Sequence, residues 1–452
     1  MYDYQGNVIP DGLYSFKGNA QPVDCWCLKT DYAESSGSHN TGVARLWNNV
    51  MKQAVIDKEN KLMTTAQKIA SENGYPYDVR TTIDGFPIVV FYRNSYNHPW
   101  QFLGKFNFNN DKSTPSVFGF CDIPGFDNSR MQCWEVLNNG HALCNFVEYS
   151  SEYFDKNWED AFEARYDEDN PLIDDLKAFC EWIYSTKGAS NGVAILDEEL
   201  MNKFKTEKWD HLDVYKMAAY YVYIMRFGAV DQPVKNSMFT SEDGEHFYFI
   251  NYDNDTIFGE RNDGLLKHGP YIDRQSIDPE KVNTDNPYVY AGHDSVLWNN
   301  LECDDEFMEI VKVVDSALHE AGLTYSAVIN MFENEQTAKW CEKVCNIDSH
   351  YKYISPPTGR VIEALQGNRN SHRRWWVSER FNLYDAKFVT GEFKTNVIEL
   401  KIVGEQIPFA KITAAKRQPY GYSITNSASL ITDILNIGDE KNSFGDNGEY
   451  IS

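Results

Sequence analysis

Residues 246–259 read HFYFINYDNDTIFG, an aromatic run that breaks into two carboxylates one residue apart and then a Phe-Gly. Alternation and aromatic content over residues 246 to 252 predict a half-buried strand rather than a helix. On such a strand Asp253 and Asp255 face the same side, where the chain leaves the core. Two like charges held together stay ionised only beside a cation or a strong hydrogen-bond network. The pair therefore points to a metal, with a polar loop bonded to its own backbone as the alternative. An EF-hand is excluded, because no third ligand, Gly and terminal Glu fall at the required positions.

Upstream, the helical pattern ending at YIMRFG runs into AVDQPVKNSMF, which sets Asp231 and Asn236 five residues apart. Phosphotransferases of the protein-kinase type use such a D-x-x-x-x-N loop: the Asp accepts the substrate hydroxyl proton and the Asn holds a metal. One loop then supplies a base and an oxygen ligand without crowding them, and a second Asp arrives from the neighbouring strand. Mg²⁺ suits this arrangement, since it takes one or two protein carboxylates and keeps phosphate oxygens and water for the rest.

The chain has 452 residues, 67 acidic against 42 basic, for a net charge of −25. Such a balance argues against wrapping nucleic acid or lying on an anionic membrane. No stretch reaches the roughly 20 apolar residues of a membrane span, and the start, MYDYQGNVIPDG, lacks signal-peptide character. A cytoplasm, or a particle assembled there, is the expected location. Nine cysteines, with Cys25 and Cys27 as C-x-C and Cys341 and Cys345 as C-x-x-x-C, offer no second pair at zinc spacing and are read as reduced thiols.

Periodicity divides the chain further. PVDCWCLKT (22–30), FPIVVFYRN (from Phe86) and WQFLGKFNFNN (from Trp100) read as strands, and GVARLWNNVMKQAVI (from Gly42) as a helix. From about Trp158 the period becomes 3.6, with helices at NPLIDDLKAFCEWIYS, LDEELMNKFKT, HLDVYKMAAYYVYIMRFG, EFMEIVKVVDSALHEAG and AVINMFENEQTAKWCEKV. HDSVLWNNL is a helix capped by Asp294 or Ser295, with His293 structural. RNSHRRWW (369–376) reads as a helix start whose arginines pair with acidic surface. NVIELKIVG and FAKITAA alternate again. The expected fold is α+β: a strand-rich lobe over 1–150, a mainly helical lobe over 151–387 and a β-rich module over 388–452.

FYFINYDNDTIFG resembles the F-I-P-W-D-x-D-x-x-F-G signature of CotH-type spore-coat kinases. AVDQPVKNSMF resembles that family's N-W-D-x-x-x-x-N segment. LKTDYAESSGSHNTGVARLW, from Leu28, resembles its L-K-x-x-Y-x-D-x-S-x-x-R-N element. The resemblance covers roughly residues 25 to 300 and implies a two-lobed atypical protein-kinase-like fold using Mg²⁺ and ATP. It implies Asp231 as the catalytic-type aspartate, Asn236 with Asp253 or Asp255 as metal ligands, and Lys29 as the phosphate-contacting lysine, with Lys112 the other candidate. Two departures imply a weakened nucleotide site: FNNDKS (108–113) stands where the family has E-K-I-D, and His39 stands where it commonly has Arg.

GERNDGLLKHGPYID, YVYAGHDSVLWNNL and SHRRWWVSERFNLYDAKFVTGEF resemble stretches of the large CotH-like structural proteins of tailed bacteriophages. That resemblance, with the abrupt ends, implies a virion component of tail or baseplate, oligomeric among other virion proteins and part of a longer protein. An active ATP-dependent protein kinase acting on coat or host proteins is the alternative. A metal-dependent nuclease is disfavoured by the charge and by the lack of a lysine beside the carboxylates.

Overall fold

The computed structural model describes residues 25–29, 39–73, 82–83, 85–112, 123–137, 150–190, 194–229, 232–233, 237–260, 270, 295–333, 352–354, 361–363, 369–385 and 388. It is a mixed α and β structure. The expected β-rich module beyond Phe388, the second half of AVINMFENEQTAKWCEKV and His293 lie outside these residues.

Two antiparallel sheets carry most of the strands. In the first, β3 (Gln101–Asn110) lies between β1 (Trp26–Lys29) and β2 (Gly85–Tyr92). The second has the order β5, β4, β8, β9, from β4 (Gln132–Val136), β5 (Phe162–Ala164), β8 (Ser237–Ser241) and β9 (Tyr248–Asn251). Its central pairing sets Trp134 opposite Phe239, so this sheet joins residues on both sides of position 150. One apolar cluster, from Val43 to Phe388, likewise spans that position. Two-stranded ribbons join β6 (Ala189–Ser190) to β7 (Ala194–Ile195), and β10 (Lys352–Ile354) to β11 (Val361–Glu363).

The helices follow the sequence period closely. They are α1 (Ala44–Gln53), α2 (Thr65–Glu72), α3 (Ser151–Ala161), α4 (Ile173–Ser185), α5 (Glu198–His211), α6 (Val214–Phe227), α7 (Val296–Glu302), α8 (Asp305–Glu320), α9 (Tyr325–Glu333) and α10 (Arg369–Tyr384). Ser295 is the cap of α7, accepting a hydrogen bond from the Trp298 amide at 3.2 Å. Helix α3 was not expected, and neither was α2. Its start is fixed by a capping box in which the Thr64 hydroxyl and the Gln67 amide each accept from the other's backbone N–H.

Helix α6 organises the core. VYKMAAYYVYIMRF is apolar nearly all round, as a helix enclosed on every side must be, and it packs against α8 and β9. Asp213 caps its start, and Gly228, at φ 59°, ends it in the left-handed conformation that glycine accepts most readily. Arg226 is buried and its guanidinium grips Asp315 of α8 with two bonds of 2.6 Å. Its third nitrogen reaches Asp385, 2.8 Å away, just after α10. One cation thus ties three helical segments together. The arginines of α10 do not all meet acidic surface: Arg380 is buried and donates to the carbonyls of Met225 and Pro270.

β9 differs from the half-buried strand predicted for it. All four of its residues are buried, because Phe249 is covered by Tyr220 of α6, Phe239 of β8 and Trp298 of α7. The strand stops at Asn251, so Asp253 and Asp255 lie beyond it, in irregular chain and a turn. The extended backbone that would set both aspartates on one side does not continue through them.

Candidate functional site

The segment after β9 is the meeting point of several elements. β1 holds Lys29 opposite Asn107 of β3, anchored by Trp26 stacked on Phe108 with centroids 5.1 Å apart. From there the Lys29 ammonium reaches Asp253 Oδ2 at 2.9 Å. The other carboxylate oxygen accepts from the Asn40 amide, also at 2.9 Å. Asn40 lies in a turn of π-helix, His39–Val43, that leads into α1. Its own amide oxygen accepts from the Asn254 backbone N–H at 2.6 Å. Asn40 therefore clamps two consecutive residues, while Tyr223 of α6 donates to the Asn254 side chain and Gln232 donates to the Asp253 carbonyl.

Beside this clamp lies a second charged cluster. Glu135, on β4 and almost fully buried, accepts from Lys112, from Nε of Arg165 at 2.7 Å and from the Tyr252 hydroxyl at 2.6 Å. Lys112 also sits over the Tyr252 ring, 4.4 Å from its centroid. Burial alone would raise the Glu135 carboxyl, but the hydrogen bonds from Lys112 and Tyr252 and the charge of Arg165 hold it below the usual glutamate range. Burial, reinforced by the Glu135 charge, pushes the Tyr252 phenol well above its ordinary value. Tyr252 and Asp253 are neighbours, so Lys29 and Lys112 approach one short stretch of chain from two sides.

The Phe258-Gly259 pair completes the loop. Both residues are left-handed, at φ 57° and 81°, and a bulky aromatic side chain at positive φ is strained. Surrounding structure holds it there. The Phe258 N–H donates to the Phe227 carbonyl at the end of α6, 2.9 Å away. Its ring packs edge-on against His39, Phe227, Phe332 and Trp376. His39 Nδ1 lies 4.0 Å from the buried Glu260 carboxylate, so this histidine fills an aromatic pocket at the motif's end.

Of the residues singled out in the sequence, the fold brings Lys29 and Asp253 into contact and places Asp255 half-buried in the turn just beyond. Asp231 and Asn236 lie outside the described residues. Among the described residues, no group of three or more His, Cys, Asp or Glu side chains is arranged to hold a metal ion, and no helix is long and apolar enough to cross a membrane. Asn40, Glu135, Arg165 and Tyr252 were missed. Asn40 follows directly on His39 in the motif read from Leu28, which was its one available signal. Glu135 is a single acid in the strand QCWEV, where nothing local announces its partners. No protein-family model matches the sequence, and no curated protein matches it significantly.

Proposed function

We propose that the chain is a virion structural component, of the phage tail or baseplate type, built on a two-lobed CotH kinase-like fold that retains a residual Mg²⁺ and nucleotide site. The observation that carries the site is the Lys29–Asp253 contact: the lysine and the aspartate that the motifs assign to phosphate and metal come from distant parts of the chain and meet at 2.9 Å. The particle context rests on the phage-like segments on either side of that core.

The donor set fits Mg²⁺, a hard cation that favours carboxylate and amide oxygens. Asp253 and Asp255, with Asn236, would hold it, and bound there it would neutralise phosphate charge. The site is residual because both Asp253 oxygens are already engaged, one by an ammonium and one by an amide. A nucleotide must draw Lys29 away before the aspartate can serve a cation, and that exchange weakens binding. Thermal unfolding with and without Mg·ATP tests the reading. Saturating ligand at a hundred times Kd stabilises by about 2.7 kcal/mol, and the gain should vanish in Asp253→Ala and in Asp255→Ala. No gain in the wild-type chain would overturn the nucleotide site, and absence of peptides from residues 260–400 in purified virions would overturn the structural role.

One observation favours the active-kinase alternative. Lys112 on Glu135 is a lysine–glutamate pair of the kind that protein kinases require, although Glu135 sits on a strand. Robust transfer of labelled phosphate, lost in Asp231→Ala, would establish that alternative.

A further inference from the structure

The β2–β3 hairpin carries the densest exposed aromatic surface among the described residues. Tyr96 is 85% exposed, Trp100 61% and Phe91 53%, with Tyr92, Phe102 and Leu103 beside them. The tip between the strands is ordered. The Arg93 guanidinium lies between the Tyr96 and Trp100 rings, 4.2 and 4.4 Å from their centroids, and donates to the Tyr96 carbonyl at 3.1 Å. The His98 N–H donates to the Ser95 carbonyl at 3.0 Å. Residues 85–110 contain no Asp or Glu, in a chain with 67 of them. Stacking, rather than a carboxylate, is what holds Arg93.

A complementary surface occurs on the same molecule. Ile195 and Leu196, the latter 71% exposed, are followed directly by exposed Asp197, Glu198 and Glu199 at the start of α5. Asp197 is used as the helix cap, accepting from the Glu199 and Leu200 amides at 3.0 Å, which fixes the pair of glutamates in place. Two apolar side chains with two uncommitted carboxylates match an aromatic platform with one cation. Both faces are exposed, so neither covers the other within one copy.

We infer that the hairpin of one copy docks on the Ile195–Glu199 surface of a second copy. Charge selects this occupant. Copies with a net charge of −25 repel each other broadly, and the acid-free hairpin is a face on which an acidic neighbour is attracted instead. Tyr, Trp and Arg are the side chains that most often dominate such contacts, and the ordered tip reduces the entropy lost on docking. Because hairpin and receiving surface differ, the contact is heterologous and propagates into a ring or a filament. The inference does not depend on the nucleotide site.

Sedimentation equilibrium of the full chain over a concentration series tests it. Wild-type protein should self-associate. Trp100→Ala should weaken association on the order of thirtyfold, as the loss of a hot-spot aromatic does, and Arg93→Glu about tenfold for a reversed desolvated contact. Trp100, Glu198 and Glu199 are exposed, and Arg93 is half-buried against rings of the same tip, so circular dichroism and Tm of each variant should stay close to wild type. Arg93→Glu protein and Glu198→Lys/Glu199→Lys protein should each associate more weakly alone than wild type, and mixing the two should restore association. A wild-type chain that remains monomeric, association undiminished by Trp100→Ala, or a mixture that associates no better than either variant alone would each overturn the inference.

Discussion

Two buried glutamates on one sheet meet opposite fates. Glu135 of β4 and Glu242, just past the end of β8, are 3% and 4% exposed. Glu135 is surrounded by two cations and a phenol and is held ionised below its usual range. Glu242 accepts only from hydroxyls, that of Tyr248 at 2.8 Å and that of Thr64 at 3.2 Å. Burial raises its carboxyl, and the charge of Lys216 compensates only in part. Lys216 is itself buried, with its ammonium over the Tyr248 ring rather than bonded to a carboxylate, and burial lowers its basicity. The lesson is that depth does not set the charge of an acid; the number of cations that reach it does. Beside Lys112 and Arg165 the fold favours the ionised form of Glu135, whereas beside Asp213, Lys216 and Glu242 burial works against charge.

The sharpest way to break this comparison is Glu135→Ala. It removes the carboxylate that Arg165 and Lys112 share, leaving Arg165 only the more exposed Glu163, and breaking a buried pair costs up to about 3–5 kcal/mol. Urea unfolding should show that loss with an unchanged slope. Glu242→Gln, read in the same assay, should cost less than about 1 kcal/mol, because a neutral amide keeps acceptors for both hydroxyls. Equal losses at the two positions would remove the distinction between them.

The second test follows stability against pH. The Glu135 carboxyl is depressed in the folded state, so its contribution is complete above the unfolded value of about 4.3 and is lost as pH falls through the folded value. The Glu242 carboxyl is raised, so the folded state binds its proton first. Its ionised form is the unfavourable one, and stability rises as pH falls from above the folded value towards about 4.3. Replacing Glu135 by Gln should therefore flatten the acid limb of the wild-type curve. Glu242→Gln should instead remove a gain that appears on mild acidification.

Asn40→Ala gives a smaller effect but addresses the candidate site itself. It strips the buried Asn254 N–H of its acceptor and Asp253 of one donor, and an orphaned buried group costs about 1–3 kcal/mol. The Asn40→Asp change separates the two bonds: a carboxylate still accepts from the Asn254 N–H but repels Asp253. Calorimetry should place Asn40→Asp below wild type, and its deficit should shrink as pH falls through the carboxylate range. An Asn40→Asp chain as stable as wild type would show that the Asp253 contact contributes nothing.

The helices were the most legible part of the fold because their signals are local. YKMAAYYVYIMRFG announces a buried helix ended by glycine, and α6 ends at that glycine. The missed α2 had a local signal too, since Thr64 and Gln67 stand at capping-box spacing. The strand before Asp253 was legible in type but not in burial, because what covers Phe249 comes from α6, β8 and α7. The motifs named Lys29 and Asp253, which the fold brings together, without announcing their contact. Nothing in the sequence named Glu135, whose three partners come from separate elements.

The smallest expected effect on stability belongs to the contact that carries the functional proposal. Lys29 is about a third exposed, and a pair open to solvent is worth roughly 0–1 kcal/mol once screening and side-chain entropy are counted. Lys29→Met should therefore unfold within about 1 kcal/mol of wild type, in contrast to the buried Glu135 cluster beside it. Yet Asp253, released from its ammonium, becomes free to meet a cation while the phosphate loses its lysine. Mg²⁺ alone should then stabilise the Lys29→Met chain more than wild type, whereas Mg·ATP should stabilise it less. Calorimetric titration with each ligand separates the two effects. If the two ligands changed in the same direction, Lys29 would be only a structural counter-ion of Asp253, and the phosphate role assigned to it would fall.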